Sequence, residues 1–142
     1  LLKESALKSS GDEYRMRVRV SLRALWALFD MRSLFDFRRF GLFSWQLISH
    51  KAMRYLAFLF MVGVYMSNMC LLSRSLLFKL SYILQNMFYM AVTAGYFREK
   101  AGKGIGVLYI PYYFIIINAA SAHAFIKFLR GQKQVIWTPR KG

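Results

Sequence analysis

The chain has few acidic residues, one cysteine and two distant histidines, and each scarcity argues against a class of function. Six Asp and Glu stand against 21 Lys and Arg, and only Asp12 and Glu13 lie close together, so no pair of catalytic carboxylates is indicated. Cys70 alone forms no internal disulfide or thiolate cluster. His50 and His123 have no second ligand at metal spacing, which argues against a zinc site. Phosphate-loop, dinucleotide and nucleophile-elbow motifs are missing too.

Basic residues dominate the charge, and they flank apolar blocks instead of spreading over the chain. Residues 1–54 hold eleven Lys and Arg, residues 55–97 hold only Arg74 and Lys79, and residues 98–142 hold eight. A net charge of +15 in a soluble protein would suggest nucleic-acid binding. Clustering beside apolar runs is instead typical of membrane proteins, so we expect no nucleic-acid partner.

Three long runs of the sequence contain no charged residue. A helix needs about 20 apolar residues to cross the ~30 Å hydrocarbon layer, so we predict transmembrane helices at about 52–72, 76–97 and 105–129. The predicted fold is an all-α membrane protein in which amphipathic interfacial helices precede about three transmembrane helices. The alternative, a soluble helical bundle, would leave too little polar chain to cover these segments.

Residues 13–54 are predicted to form the interfacial helices. In the first part of this segment an apolar stripe recurs at helical spacing (Val18, Leu22, Leu25, Phe29), beside arginines one turn apart (Arg15, Arg19, Arg23). Arg17 points elsewhere on such a helix. The alternation RMRVRV would also fit a strand, but it lasts only six residues. A basic helix before a membrane span is typical of an interfacial helix. Its arginines can hold lipid headgroups or grip a diphosphate.

Charge also predicts which segments face the cytoplasm and which meet lipid. The basic N-terminal third, the 98–104 loop and the basic tail at 131–142 all belong inside by the positive-inside rule. Three complete crossings would put the tail outside, so the sequence leaves open that Pro111 and nearby polar residues break the last span. We expect lipid headgroups to contact four basic side chains at the membrane boundary: Arg23, His50, Lys51 and Arg54.

Three stretches carry a resemblance to a known family. They are "DEYRMRVRVSLRAL", "GLFSWQLISHKAMRY" and "PYYFIIINAASAHAFIKFLRGQKQVIWTP", which together cover nearly the whole chain. Their order resembles the C-terminal membrane region of bacterial family 2 glycosyltransferases, the group of hyaluronan-, cellulose- and poly-N-acetylglucosamine-synthase-like enzymes. Residues 1–12 resemble the end of that family's cytosolic catalytic domain.

The resemblance implies candidate binding residues for the donor diphosphate or the acceptor sugar. The family's interfacial helix carries Gln-x-x-Arg-Trp, and Arg19 takes the arginine position here, while Met16 and Val20 replace the glutamine and the tryptophan. The tail WTPR loosely resembles a Trp-x-Thr-Arg motif. The implied substrate-binding residues are therefore Arg15, Arg17, Arg19, Trp137 and Arg140, with no catalytic residue in this chain.

The resemblance also implies a reaction and a location. Such an enzyme moves a sugar from a nucleotide-diphosphate donor to a glycan or lipid-linked acceptor at the cytoplasmic face of the bacterial inner membrane, as a multi-pass protein. A divalent cation, Mg²⁺ or Mn²⁺, is expected in an N-terminal nucleotide-sugar domain that this chain lacks. Its other expected partner is a bilayer with anionic lipids. The alternative is a non-enzymatic basic membrane anchor or assembly subunit that binds lipid or partner helices.

Overall fold

The computed structural model describes residues 10–133, and helix accounts for 86% of them. Six α-helices follow one another: α1 Ser10–Asp30, α2 Phe37–Phe40, α3 Leu42–Gln46, α4 Met53–Cys70, α5 Leu76–Lys100 and α6 Tyr109–Leu129. Single-turn 3₁₀ segments lie at Arg32–Phe35 and Gly106–Leu108, and a π-helical segment lies at Leu47–Ala52. None of the residues from 10 to 133 lies in a strand, so the all-α prediction is confirmed.

The stretch RMRVRV lies inside α1, so the strand alternative is wrong. The first of the helices predicted within residues 13–54 corresponds to α1, which extends from Ser10 to Asp30. Its apolar stripe is buried at Val18, Leu22 and Leu25, but Phe29 is 46% exposed, and Leu28 is buried in its place. Leu28 lies three residues after Leu25, and that spacing returns it to the buried face.

The three segments predicted to cross a membrane correspond to α4, α5 and α6. In the part of the chain that the structure describes, two helices are long and apolar enough to cross a membrane, Leu42–Cys70 and Gly106–Leu129. The first includes α3, the π-helical segment and α4. α5 has 25 residues and is long enough, but it is not one of these two helices. Polar side chains such as Gln85 and Asn86 lower its mean hydropathy.

The last of these helices is unbroken, although the sequence left a break open. α6 continues from Tyr109 to Leu129. Pro111 lies in its first turn, where a proline removes no intrahelical hydrogen bond because the first amide N–H groups have no partner in the helix. The polar Asn118 donates from its amide to the carbonyl of Phe114, 2.8 Å away within the same helix.

The described chain divides into two compact units. The first contains α1 to the beginning of α4 and the end of α6 from Ala119, and the second contains Ala57–Asn118. In the first unit α1 packs against α6 through a core in which Ala120 and Ala124 have no exposed surface. Three side chains from α1 complete this core: Val18, Leu22 and Leu25.

Polar and aromatic contacts connect the helices of the second unit. The Asn68 amide of α4 donates to Ser81 Oγ and to Gln85 Oε1 of α5, each at 3.1 Å. Gly95 of α5 is buried against Tyr112, and a Cβ added there would lie 3.1 Å from the Tyr112 Cβ. A side chain at position 95 would therefore disturb the contact.

Candidate functional site

The arginine row of α1 lies beside the face that packs on α6. Arg15 and Arg23 are exposed and Arg19 is half-buried. Successive members of the row are four residues apart, so each advances about 40° around the helix. The row therefore stays on one side of α1, within reach of an anionic group that approaches from outside the first unit.

Arg17 is held away from this row by a buried carboxylate. Its Nε donates to Glu13 Oε1 at 2.7 Å, one helical turn earlier, and Glu13 is only 4% exposed. A buried carboxylate next to a guanidinium makes a charge-assisted hydrogen bond that fixes the orientation of both groups. The predicted divergence of Arg17 from the row therefore has a structural reason that spacing alone did not give.

A hydrogen bond joins α1 to α6 beside the apolar core. Tyr14 Oη and His123 Nδ1 lie 3.0 Å apart, and their ring centroids are 5.9 Å apart. Two serines are buried in the same unit, Ser21 on α1 and Ser121 on α6. The Tyr14–His123 bond is satisfied in few geometries, so it restricts how the two helices can rotate against each other. The side of α1 that carries the arginine row is therefore fixed relative to the end of α6.

The opposite end of α1 contacts the start of the basic tail. The Trp26 indole donates to the carbonyl of Gln132 at 2.9 Å, and Lys133 Nζ lies 4.6 Å from the centroid of the Trp26 ring. Phe128 packs edge-on against the same indole. Trp137 and Arg140, the candidate residues of the tail, lie outside the described residues. Lys133, where the described chain ends, is beside α1.

Three residues predicted to meet lipid lie around the start of α4. His50 and Lys51 lie in the π-helical segment and Arg54 in the first turn of α4, and all three are exposed. Wide turns of this type are rare and frequently occur at functional sites.

The sequence did not predict the contacts that hold α1. Tyr14 pairs with His123 and Trp26 with Gln132 across more than one hundred residues, and no periodicity connects such distant positions. The pairing of the buried Glu13 with Arg17 was not predicted either. An acid one turn before an arginine is the sequence signal that could have indicated this pair.

Residues 10–133 contain no group of three or more His, Cys, Asp and Glu side chains that could hold a metal ion. The Mg²⁺ or Mn²⁺ that the resemblance implies therefore has no donor set in this part of the chain. No protein-family model, curated protein or solved structure matches this chain.

Proposed function

We propose that this chain is the membrane module of a family 2 glycosyltransferase. The complete enzyme transfers a sugar from a nucleotide-diphosphate donor to a glycan or lipid-linked acceptor at the cytoplasmic face of the bacterial inner membrane. The observation that carries this proposal is the row of arginines on a helix fixed in place by α6. The motif alignment puts Arg19 of that row at the family's arginine position.

Arg19 is the residue best suited to contact the donor diphosphate. It is half-buried, whereas Arg15 and Arg23 are exposed, and partial burial strengthens a charge-assisted hydrogen bond because less water competes for it. Arginine's planar fork makes paired hydrogen bonds to phosphate oxygens. Arg15 can meet the same group from one turn earlier. Arg17 is paired with Glu13 one turn earlier in α1, and this pair orients the Arg17 side chain.

The membrane part of the proposal assigns α4, α5 and α6 to the bilayer and the basic boundary residues to its headgroups. Within α5 the polar side chain of Gln85 accepts from Asn68, and the Asn86 amide donates to the carbonyl of Tyr82 at 2.7 Å. Such internal bonds lower the cost of placing polar groups in hydrocarbon. Arg23, His50, Lys51 and Arg54 then meet anionic lipid, as the sequence predicts.

The contact between α1 and Gln132–Lys133 adds a constraint on topology. If α1 lies at the cytoplasmic face, residues that touch it lie on that side too, so the tail begins in the cytoplasm. This agrees with the positive charge of the tail. An even number of complete crossings must then lie between α1 and the tail, so one of the three predicted segments does not cross completely. We assign Trp137 and Arg140 of this tail to binding of the acceptor sugar.

Departure of the diphosphate leaving group is assisted by another domain in this proposal. The divalent cation and the catalytic base belong to the nucleotide-sugar domain that the resemblance implies, and this module binds and orients the substrates beneath it. Its partners are that domain, the acceptor and anionic lipids.

The test of the proposal compares two arginines of the same row in the intact enzyme. Charge-assisted hydrogen bonds strengthen as the diphosphate leaves, so Arg19→Ala should reduce sugar transfer roughly 10²–10³-fold. Arg23→Ala, one turn further along and exposed, should cost much less. Transfer is measured with a labelled nucleotide sugar in membranes that contain equal amounts of each variant. Equal, mild losses would mean that the row only holds lipid headgroups, as in the non-enzymatic alternative.

A further inference from the structure

Between α1 and α4 the chain folds into a short structure that we call the hook, residues 32–46. It contains the 3₁₀ turn Arg32–Phe35, then α2 and α3. Five large apolar side chains of the hook are at least two-fifths exposed: Phe37 50%, Phe40 41%, Leu42 81%, Phe43 51% and Trp45 61%. Four of the five are aromatic, and we call the five together the aromatic surface. Their exposure in a nine-residue stretch exceeds what scattered surface residues explain.

The hook holds this surface outward by its own hydrogen bonds. The Asp36 carboxylate caps α2 by accepting from the Arg38 amide at 2.9 Å. Ser44 has no exposed surface, and its hydroxyl donates to the Leu34 carbonyl at 2.7 Å. Gly41 makes the turn between α2 and α3 with a φ of +49°, a value that side chains disfavour. Ser44 is therefore buried within the hook, while the five apolar side chains stay exposed.

The charges around the aromatic surface identify what covers it. Arg32, Arg38 and Arg39 are exposed within the hook, and its only acid, Asp36, is engaged in the cap. Phenylalanine and tryptophan side chains with arginines beside them match a lipid leaflet, which has hydrocarbon below and phosphate above. Each basic residue near an anionic leaflet contributes about 1 kcal/mol of attraction.

We propose that the hook inserts its aromatic surface into the cytoplasmic leaflet and that anionic phospholipid is its partner. This inference rests on the membrane part of the proposed function, but not on sugar transfer. It assigns to Trp45 and its neighbours a role that the resemblance does not give them. A protein domain covering the same surface is the competing outcome, and the experiment distinguishes the two.

The experiment compares two single-tryptophan variants of the chain in proteoliposomes of phosphatidylcholine and phosphatidylglycerol. One variant keeps Trp45 (Trp26→Phe, Trp137→Phe), and its matched control keeps Trp26 (Trp45→Phe, Trp137→Phe). Trp26 is half-buried and packed on Phe128. Fluorescence is recorded with lipids brominated near the headgroup or deep in the acyl chain.

We expect lipids brominated at shallow positions to quench Trp45 by about twofold or more, because an interfacial indole lies near the headgroups. Deep bromines should quench it less, and Trp26 should respond weakly to both. Replacing Arg38 and Arg39 together by Gln should reduce the quenching of Trp45 in the anionic vesicles. Trp45 quenching no greater than that of Trp26 would overturn the proposal. Protection of Trp45 from aqueous acrylamide in that case would indicate a covering protein, and free access would indicate solvent.

The result is independent of the arginine row. An inserted hook with no effect of Arg19→Ala on transfer would leave this inference standing and would remove the transferase proposal. A hook that lipid does not contact, together with a large effect of Arg19→Ala on transfer, would overturn this inference and leave the transferase proposal standing.

Discussion

At the scale of single residues, one hydrogen bond limits how α1 can turn against α6. Tyr14 Oη and His123 Nδ1 lie 3.0 Å apart across the two helices. The Glu13–Arg17 pair lies within α1 and orients the Arg17 side chain. A helix held by apolar contacts alone can rotate or slide with little penalty, whereas the Tyr14–His123 bond is satisfied in few orientations. Removing this bond should therefore be measurable.

Tyr14→Phe should lower the stability of the first unit, because the His123 ring nitrogen loses its partner while the apolar ring remains. A typical hydrogen bond contributes about 1 kcal/mol. For a chain of this size that corresponds to a fall in melting temperature of roughly 3–5 °C, measured by thermal unfolding in detergent.

The matched control is Tyr96→Phe on α5, because Tyr96 is 48% exposed and no hydrogen bond of its hydroxyl appears in the described part of the chain. It should change the melting temperature by less than half as much. Equal shifts for both variants would contradict a stabilising role for the Tyr14 hydroxyl.

Residue positions on a helix face can be predicted from sequence, but their distant partners cannot. The spacing of Val18, Leu22 and Leu25 identified three buried residues correctly because helical periodicity is local. Phe29 fits the same stripe by spacing, yet its ring packs edge-on against Trp26 and stays 46% exposed. Where the end of α6 covers α1 is decided by tertiary contacts, which single-sequence patterns do not contain.

At the scale of elements, small residues allow α1 and α6 to approach closely. Ala120 and Ala124 are four residues apart on one face of α6 and have no exposed surface. Small side chains at this spacing allow helices to pack at short distance. Larger side chains from α1, such as Leu22, fill the space between the helices.

Ala124→Leu should therefore separate α1 from α6. Inserting large side chains into a packed core costs typically about 1–3 kcal/mol. We therefore expect a lower melting temperature, and a larger change in the fluorescence emission of Trp26 than the control variant shows. The neighbouring Ala119→Leu is the control, because Ala119 is exposed. A stable Ala124→Leu variant that behaves like Ala119→Leu would contradict the α1–α6 packing.

The elements were predicted better than their details. The three apolar runs coincide with α4, α5 and α6 because uninterrupted hydrophobicity is a strong local signal. The π-helical segment at Leu47–Ala52 was not predicted, since LISHKA has no feature that distinguishes it from an ordinary helix. That α5 crosses the membrane stays a prediction, because amide side chains such as Gln85 and Asn86 lower its mean hydropathy.

At the scale of the whole molecule, the contact of Trp26 with Gln132 relates the side of the tail to the side of α1. This predicts that Lys133 and α1 are accessible from the same face of the membrane. The variant Lys133→Cys, in a Cys70→Ser background, should react with an impermeant maleimide in inside-out vesicles and not in intact spheroplasts. Ser33→Cys in the same background reports the side of the N-terminal segment. Labelling of the two cysteines from opposite faces would contradict the even number of crossings.

The proposed roles of the arginine row and the hook, and the proposed topology, all require that the chain is embedded in a bilayer. The most direct measurement is flotation of reconstituted vesicles after washing with alkaline carbonate, which removes peripheral proteins held by charge. With apolar helices in the hydrocarbon, the chain should float with the lipid after the wash and require detergent for release. Recovery of a monodisperse soluble monomer without detergent would contradict the account.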